Sequence, residues 1–130
     1  MFVDASAIVA ILTREPGHGA LATRLDKAQD AKTSPLAIFE AVAAIVRKEQ
    51  LSVARAEELV QEFLKRVAIE VLPIGADAHI MALWAFDHYR KGRGHRAQLN
   101  ICDCFAYAMA RQHGVPLLYK GDDFAHTDLA

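Results

Sequence analysis

Acids stand at four separated places in this 130-residue chain where a folded protein would need a reason to keep them. Asp4 ends the short apolar run Phe2-Val3, and an acid is a poor strand residue. Glu40 has Leu36, Ala37, Ala43 and Ala44 three and four places away, the positions that neighbour it on a helix, and none of them is basic. Asp103 is flanked in the same way by Leu99, Asn100, Ala106 and Tyr107. Asp122 and Asp123 follow the last apolar run, Pro116 to Tyr119. Carboxylates gathered in one place repel each other and take up protons unless a cation sits among them. Hard oxygen ligands select magnesium or manganese over zinc, and magnesium keeps several waters beside one or two direct carboxylates. One or two such ions, about 4 Å apart, can clamp a phosphodiester and activate water for in-line attack. That is the chemistry these acids would perform together.

Each acid also has a local explanation. Asp4 is a favoured N-cap for a helix behind it. Glu40 could point to solvent at the edge of an apolar stripe. Asp103 would be stabilised by the helix dipole in a first turn, and Asp122 or Asp123 suits a turn. What these explanations leave open is why strand ends and helix starts that face one crevice should all carry acids.

The elements that must position them alternate. Phe2–Asp4 reads as a strand and Ala5–Leu12 as a helix, broken at Glu15-Pro16-Gly17. Gly19–Ala28 is a second predicted helix and Ala31–Thr33 a short strand. Ser34-Pro35 is a hydroxyl N-cap with proline at the first helical position, opening a helix to about Gln50 with Phe39, Val42, Ile45 and Val46 along one face. Ser52 caps the next, to about Val67, with Glu57, Glu58 and Glu62 on a solvated side. Ile69–Ile74 is a predicted strand, and Ala76–Tyr89 a helix with Ile80, Leu83, Trp84 and His88 in one stripe. Residues 90–99 form a basic, glycine-containing loop. Ile101–His113 is a helix ended by Gly114, Pro116–Tyr119 a strand, and Gly121-Asp122-Asp123 a turn. Alternation of this kind implies an α/β fold with a mainly parallel central sheet. In such sheets ligands bind at the carboxyl ends of the strands, where Asp4 lies.

The chain is 53% hydrophobic and 24% charged with a net charge of −1. These values exclude a disordered chain and a polycation and suit one domain spanning 1–130. Cys102 and Cys104, the two cysteines, make no disulfide framework and point to a reduced, cytoplasmic setting. No signal peptide or membrane-length apolar run is expected. The six histidines show no zinc spacing, and there is no nucleotide-binding glycine loop or nucleophile elbow. Ser6 is read as a residue that orients Asp4 or contacts phosphate. The stretch His88 to Arg96 carries Arg90, Lys91, Arg93 and Arg96 without an acid. It suits an RNA backbone, with Tyr89 or His95 available to stack on an unpaired base.

Four motifs carry a resemblance. Val3-Asp4-Ala5-Ser6, Ser34-Pro-Leu-Ala-Ile-Phe-Glu40, Leu99-Asn-Ile-Cys-Asp-Cys-Phe-Ala-Tyr-Ala and Leu117-Leu-Tyr-Lys-Gly-Asp-Asp-Phe resemble those of the PIN-domain ribonucleases, most closely the VapC toxins of toxin–antitoxin pairs. The resemblance covers essentially the whole chain. It implies a Rossmann-like three-layer fold and magnesium- or manganese-dependent cleavage of RNA. By it, Asp4 and Asp103 become direct metal ligands, Glu40 the second acid and Asp122 the fourth, with Ser6 and Asn100 in support. Lys120 stands where a hydroxyl residue is usual, which leaves Asp122 and Asp123 as alternatives for the fourth place. The resemblance also implies a homodimer and a cognate VapB-type antitoxin, with DNA reached only through that antitoxin. Two other readings are a catalytically silent PIN-like module that docks RNA or a protein, and a phospho-accepting receiver domain, which lacks its acid pair here.

Overall fold

The structure, a computed structural model, describes all of residues 1–130. In chain order the elements are β1 (Phe2–Val3), α1 (Ala5–Leu12), α2 (His18–Asp26), β2 (Lys32–Thr33), α3 (Pro35–Glu49), α4 (Val53–Arg66), β3 (Glu70–Val71), α5 (Ala78–Tyr89), α6 (Ile101–His113) and β4 (Leu117–Leu118). The expected alternation is present, and the sheet is parallel throughout. Its order is β3-β2-β1-β4, the central sheet of a three-layer α/β fold.

That order decides where a ligand can sit. From β1 the chain steps outward to β2 and β3, then returns to lay β4 on the other side of β1. The reversal opens a crevice beyond the carboxyl ends of β1 and β4. Hydrogen bonds fix the register there: Phe2 N–H donates to the Pro116 carbonyl at 2.8 Å and Asp4 N–H to Leu118 at 2.9 Å. On the other flank, the Thr33 hydroxyl donates to the Val3 carbonyl at 2.9 Å. Phe2, Val3, Leu117 and Leu118 are all buried, as strands covered on both faces must be. β3 is the exposed edge and keeps only two of the six residues expected of it.

Caps set the helix boundaries. Ser34 accepts from Ala37 N–H at 3.2 Å ahead of Pro35, and Ser52 accepts from Arg55 N–H at 3.1 Å. Gly114 closes α6 in the left-handed region at φ 60°, which glycine adopts without steric cost.

Two predicted faces are corrected. On α5 the stripe Ile80, Leu83 and Trp84 turns outward, with Ile80 63% exposed, while Ala78, Ala82 and Ala85 face the core. On α3 only Ile45 of the expected face is buried; it packs inward with Ala37 and Ala41, and Phe39 is 73% exposed. The physical reason is close helix approach. α5 packs chiefly on α6, and the small side chains Ala78, Ala82 and Ala85 are the ones it buries, which lets the helix backbones come close. Trp84 instead lies flat over Tyr107, centroids 5.8 Å apart, and under His88 at 3.9 Å. The Tyr107 hydroxyl donates to Asp128 at 2.7 Å.

The loop after α5 is pinned at its base. Leu99 N–H donates to the Tyr89 carbonyl at 2.9 Å and Lys91 N–H to Leu99 at 3.3 Å. Leu99 is buried, so the chain enters α6 from a fixed point.

Candidate active site

Asp4 is the N-cap of α1 and 2% exposed. Its Oδ2 accepts from Ser6 N–H at 3.0 Å and from the Ser6 hydroxyl at 2.5 Å. Its Oδ1 is buried and has no partner. A buried, unpartnered carboxylate oxygen costs on the order of 1–3 kcal/mol or more, so capping explains only half of this side chain. Ser6 also accepts from Lys120 N–H at 3.0 Å. One hydroxyl thus joins the end of β1 to the loop beyond β4.

Asp103 and Asn100 form a reciprocal capping box at the start of α6. Asp103 N–H donates to Asn100 Oδ1 and Asn100 N–H to Asp103 Oδ2, both at 2.9 Å. The box holds the carboxylate in one orientation and again engages a single oxygen. Glu40 reaches the same region from α3, where Ser34 and Pro35 fix the helix start.

These side chains line one cavity of about 300 Å³, with Ser6, Glu15, Arg47, Asn100, Lys120 and Asp123 among its other walls. The site thus brings together Asp4, Glu40 and Asp103 with both supporting residues. For the fourth acid, Asp123 lines the cavity and Asp122 does not. Asp122 is used by its backbone, whose carbonyl accepts from Ala125 N–H at 3.1 Å. Phe124, next in the chain, is buried.

The electrostatics follow from the crowding. Burial is the main force raising the Asp4 carboxyl above its usual range, opposed by the Ser6 bonds. Asp103 is pushed up to about 7, chiefly by burial and further by the charges of Asp4, Asp123 and Glu40, against the Asn100 bond. Glu40 is raised by burial and by Asp4. None of these acids forms a salt bridge. No three His, Cys, Asp or Glu side chains stand together in a geometry that holds an ion by themselves. An orphaned buried oxygen, hard donors and an open cavity fit a cation that retains waters.

Arg90, Lys91, Arg93 and Arg96 do not line the acidic cavity. Arg90 and Lys91 border a separate apolar cavity of about 410 Å³ between α5 and α6, which shares Asn100 with the acidic one. Arg90 and Arg93 both face Asp87, at 3.5 and 3.4 Å. The cations that do enter the acidic cavity, Arg47 and Lys120, were missed. So was Cys102, whose thiol faces Glu40 and is pushed up to about 11, chiefly by burial, so it stays protonated. A signal for Arg47 was available: it follows Glu40 by seven residues, close to two full helical turns.

A family model described as the PIN domain matches residues 1–129. A VapC ribonuclease of Rhizobium meliloti is 44% identical over 140 residues, covering 98% of each chain. Ribonuclease VapC42 of Mycobacterium tuberculosis is 38% identical over 129 residues, covering 99% of this chain and 96% of its own. Among solved structures, VapC20 of Mycobacterium tuberculosis, described as a sarcin–ricin loop cleaving toxin, superposes with a TM-score of 0.74 at 20% identity. It covers 99% of this chain and 95% of its own, a likeness of fold. With its motifs on one crevice and relatives matched along nearly its full length, the chain belongs to the PIN-domain family, among the VapC ribonucleases.

Proposed function

We propose that this chain is an endoribonuclease toxin that hydrolyses RNA phosphodiesters with a divalent cation, magnesium or manganese, and is neutralised by a VapB-type antitoxin. The observation that carries the reading is Asp4: one oxygen held by Ser6, the other buried and partnerless beside Asp103, Glu40 and Asp123.

Asp4 and Asp103 would hold the ion, with Glu40 and Asp123 completing the acidic wall. When bound, the cation supplies Lewis acidity, offsetting charge that develops on the phosphate and making water easier to deprotonate. Ser6 and Asn100 each occupy one carboxylate oxygen, leaving the other oxygen of each acid oriented before substrate arrives. Such preorganisation spares the reacting complex a reorganisation cost. Glu40, raised by burial and by Asp4, is a stronger base than an ordinary carboxylate and is the acid suited to accept a proton from water. The loop cations Lys91 and Arg96 lie farther out and serve as a diffuse attraction for RNA.

A homodimer is part of the proposal, supported by the exposed apolar residues of α5 and by Phe39 and Ile101, the last 72% exposed. No helix is long and apolar enough to cross a membrane.

Purified protein with a single-stranded RNA and added magnesium or manganese tests the reading. Cleavage is expected, is abolished by chelator, and falls at least a thousandfold in Asp4→Asn and Asp103→Asn variants that keep the native circular dichroism spectrum. Undiminished cleavage by the double variant in chelator would refute it.

A further inference from the structure

Two cations stand in the wall of the acidic cavity, Arg47 from α3 and Lys120 from the loop after β4. Neither makes a salt bridge, although Asp4, Glu15, Glu40, Asp103 and Asp123 share those walls. Glu15 is taken by Lys48, at 2.8 Å. Arg47 acts on Glu40 through space, lowering its carboxyl against the effect of burial, and is beyond direct pairing distance. Seven residues on one helix separate the two by about 10 Å along the axis on nearly the same face. Lys120 is fixed at its root, where its N–H donates to the Ser6 hydroxyl at 3.0 Å, and its side chain is exposed.

A cation present only to neutralise these acids would sit against them, where the Coulomb attraction is greatest. Arg47 and Lys120 are held back instead. The acids keep oxygens free, and the cations keep their donors free for an anion. Guanidinium suits phosphate through paired donors and ammonium as a point charge. The loop cations Arg90 and Arg93 are by contrast engaged with Asp87.

Building on the ribonuclease reading, we infer that Arg47 and Lys120 are substrate-positioning residues that bind RNA phosphates on the two sides of the scissile bond. Lys120, whose main-chain N–H is held by Ser6 and whose ammonium lies over Gly17 at the start of α2, takes the phosphate on the β4 side. Arg47, two turns from Glu40, takes one farther along the strand. The backbone then crosses the cavity from the β4 side to the α3 side, with the scissile phosphate over the acids.

The test separates RNA binding from metal binding. A fluorescein-labelled single-stranded RNA is titrated across a salt series in an Asp4→Asn background, which does not cut it. Arg47→Gln and Lys120→Gln should each weaken binding about tenfold and flatten the salt dependence by about 0.7 in log–log slope, the value for one lost phosphate contact on a single strand. Arg47→Lys should recover part of the loss. Arg66→Gln, in the last turn of α4 and outside the cavity, should match its parent. With Asp4 intact, calorimetric titration of magnesium or manganese should show both Gln variants binding the ion as tightly as the parent or more tightly, since a repelling charge has gone. Unchanged RNA affinity and salt slope would overturn the inference, as would a parallel loss of metal binding. If Arg47→Gln and Lys120→Gln cut RNA like the parent while Asp4→Asn does not, only this inference fails. Cleavage undiminished in Asp4→Asn and Asp103→Asn would defeat the ribonuclease reading itself.

Discussion

The hydroxyl of Ser6 stands 2.5 Å from Oδ2 of Asp4, donating to that carboxylate while it accepts from the main chain beyond β4. Removing it leaves Asp4 with the Ser6 N–H alone and strands the Lys120 N–H. A hydrogen bond to a charged group contributes about 1.5–3 kcal/mol, so Ser6→Ala should lower kcat/KM by roughly ten- to a hundredfold. Since that bond also holds the Asp4 carboxyl down against burial, the acid limb of the pH–rate profile should move to higher pH. Steady-state cleavage of a short RNA across a pH series checks both.

The crowded acids make a signed prediction about stability. Asp103 has a folded-state pKa of about 7 against an ordinary value of 3.8, and Asp4 is raised as well. The metal-free folded state therefore holds more protons than the unfolded chain between those values. Its contribution to stability is complete below about pH 4 and is lost as pH rises through 7, on the order of a few kcal/mol. Denaturant melts in chelator should show the midpoint falling from pH 5 to pH 8. Magnesium or manganese should restore it at pH 8 and do little at pH 5, where protons compete for the same oxygens.

The capping box separates stability from activity. Asn100→Ala removes the side-chain bond to Asp103 N–H and should cost about 1 kcal/mol, a fall in Tm of roughly 3–5 °C. Cleavage should fall by no more than that loss explains, because the Asn100 main-chain N–H that holds Asp103 Oδ2 survives the substitution. Thermal melts and cleavage rates measured on one preparation give the comparison.

Adjacent carboxylates in the last loop should behave differently. Asp123 lines the acidic cavity and Asp122 does not. Asp123→Asn should reduce cleavage tenfold or more, and Asp122→Asn should stay within twofold of the parent. Equal losses would show that the loop turns over when substrate binds.

Much of the fold was legible because its boundaries are written in local chemistry. Ser34-Pro35, Ser52 and Gly114 stop or start helices through bonds and backbone angles that involve near neighbours only. Asp4, Glu40 and Asp103 were legible for a related reason: each lacks a cation where local pairing would supply one. The faces of α3 and α5 were not. Large apolar residues dominate any reading by hydrophobicity, and here alanines take the core while Phe39 and Ile80 face outward, a choice made by the distance between packed helices. Asp122 and Asp123 serve a turn equally well, and only the folded loop tells them apart, by putting Asp123 in the cavity wall. Arg47 and Lys120 are ordinary surface cations in sequence. Their shared cavity exists only once the strand crossover has brought α3 beside the end of β4.

Because β1 pairs with β4, residues near opposite ends of the sequence must meet before Asp4 is anchored. A ribosome delivers Asp4 first and Leu117 more than a hundred residues later, and a contact so distant along the chain forms late. The unfinished polypeptide has no bond from Leu118 to Asp4 and none from Lys120 to Ser6. Until translation has passed its final strand, the chain lacks the contacts that anchor Asp4 and Ser6 in the crevice.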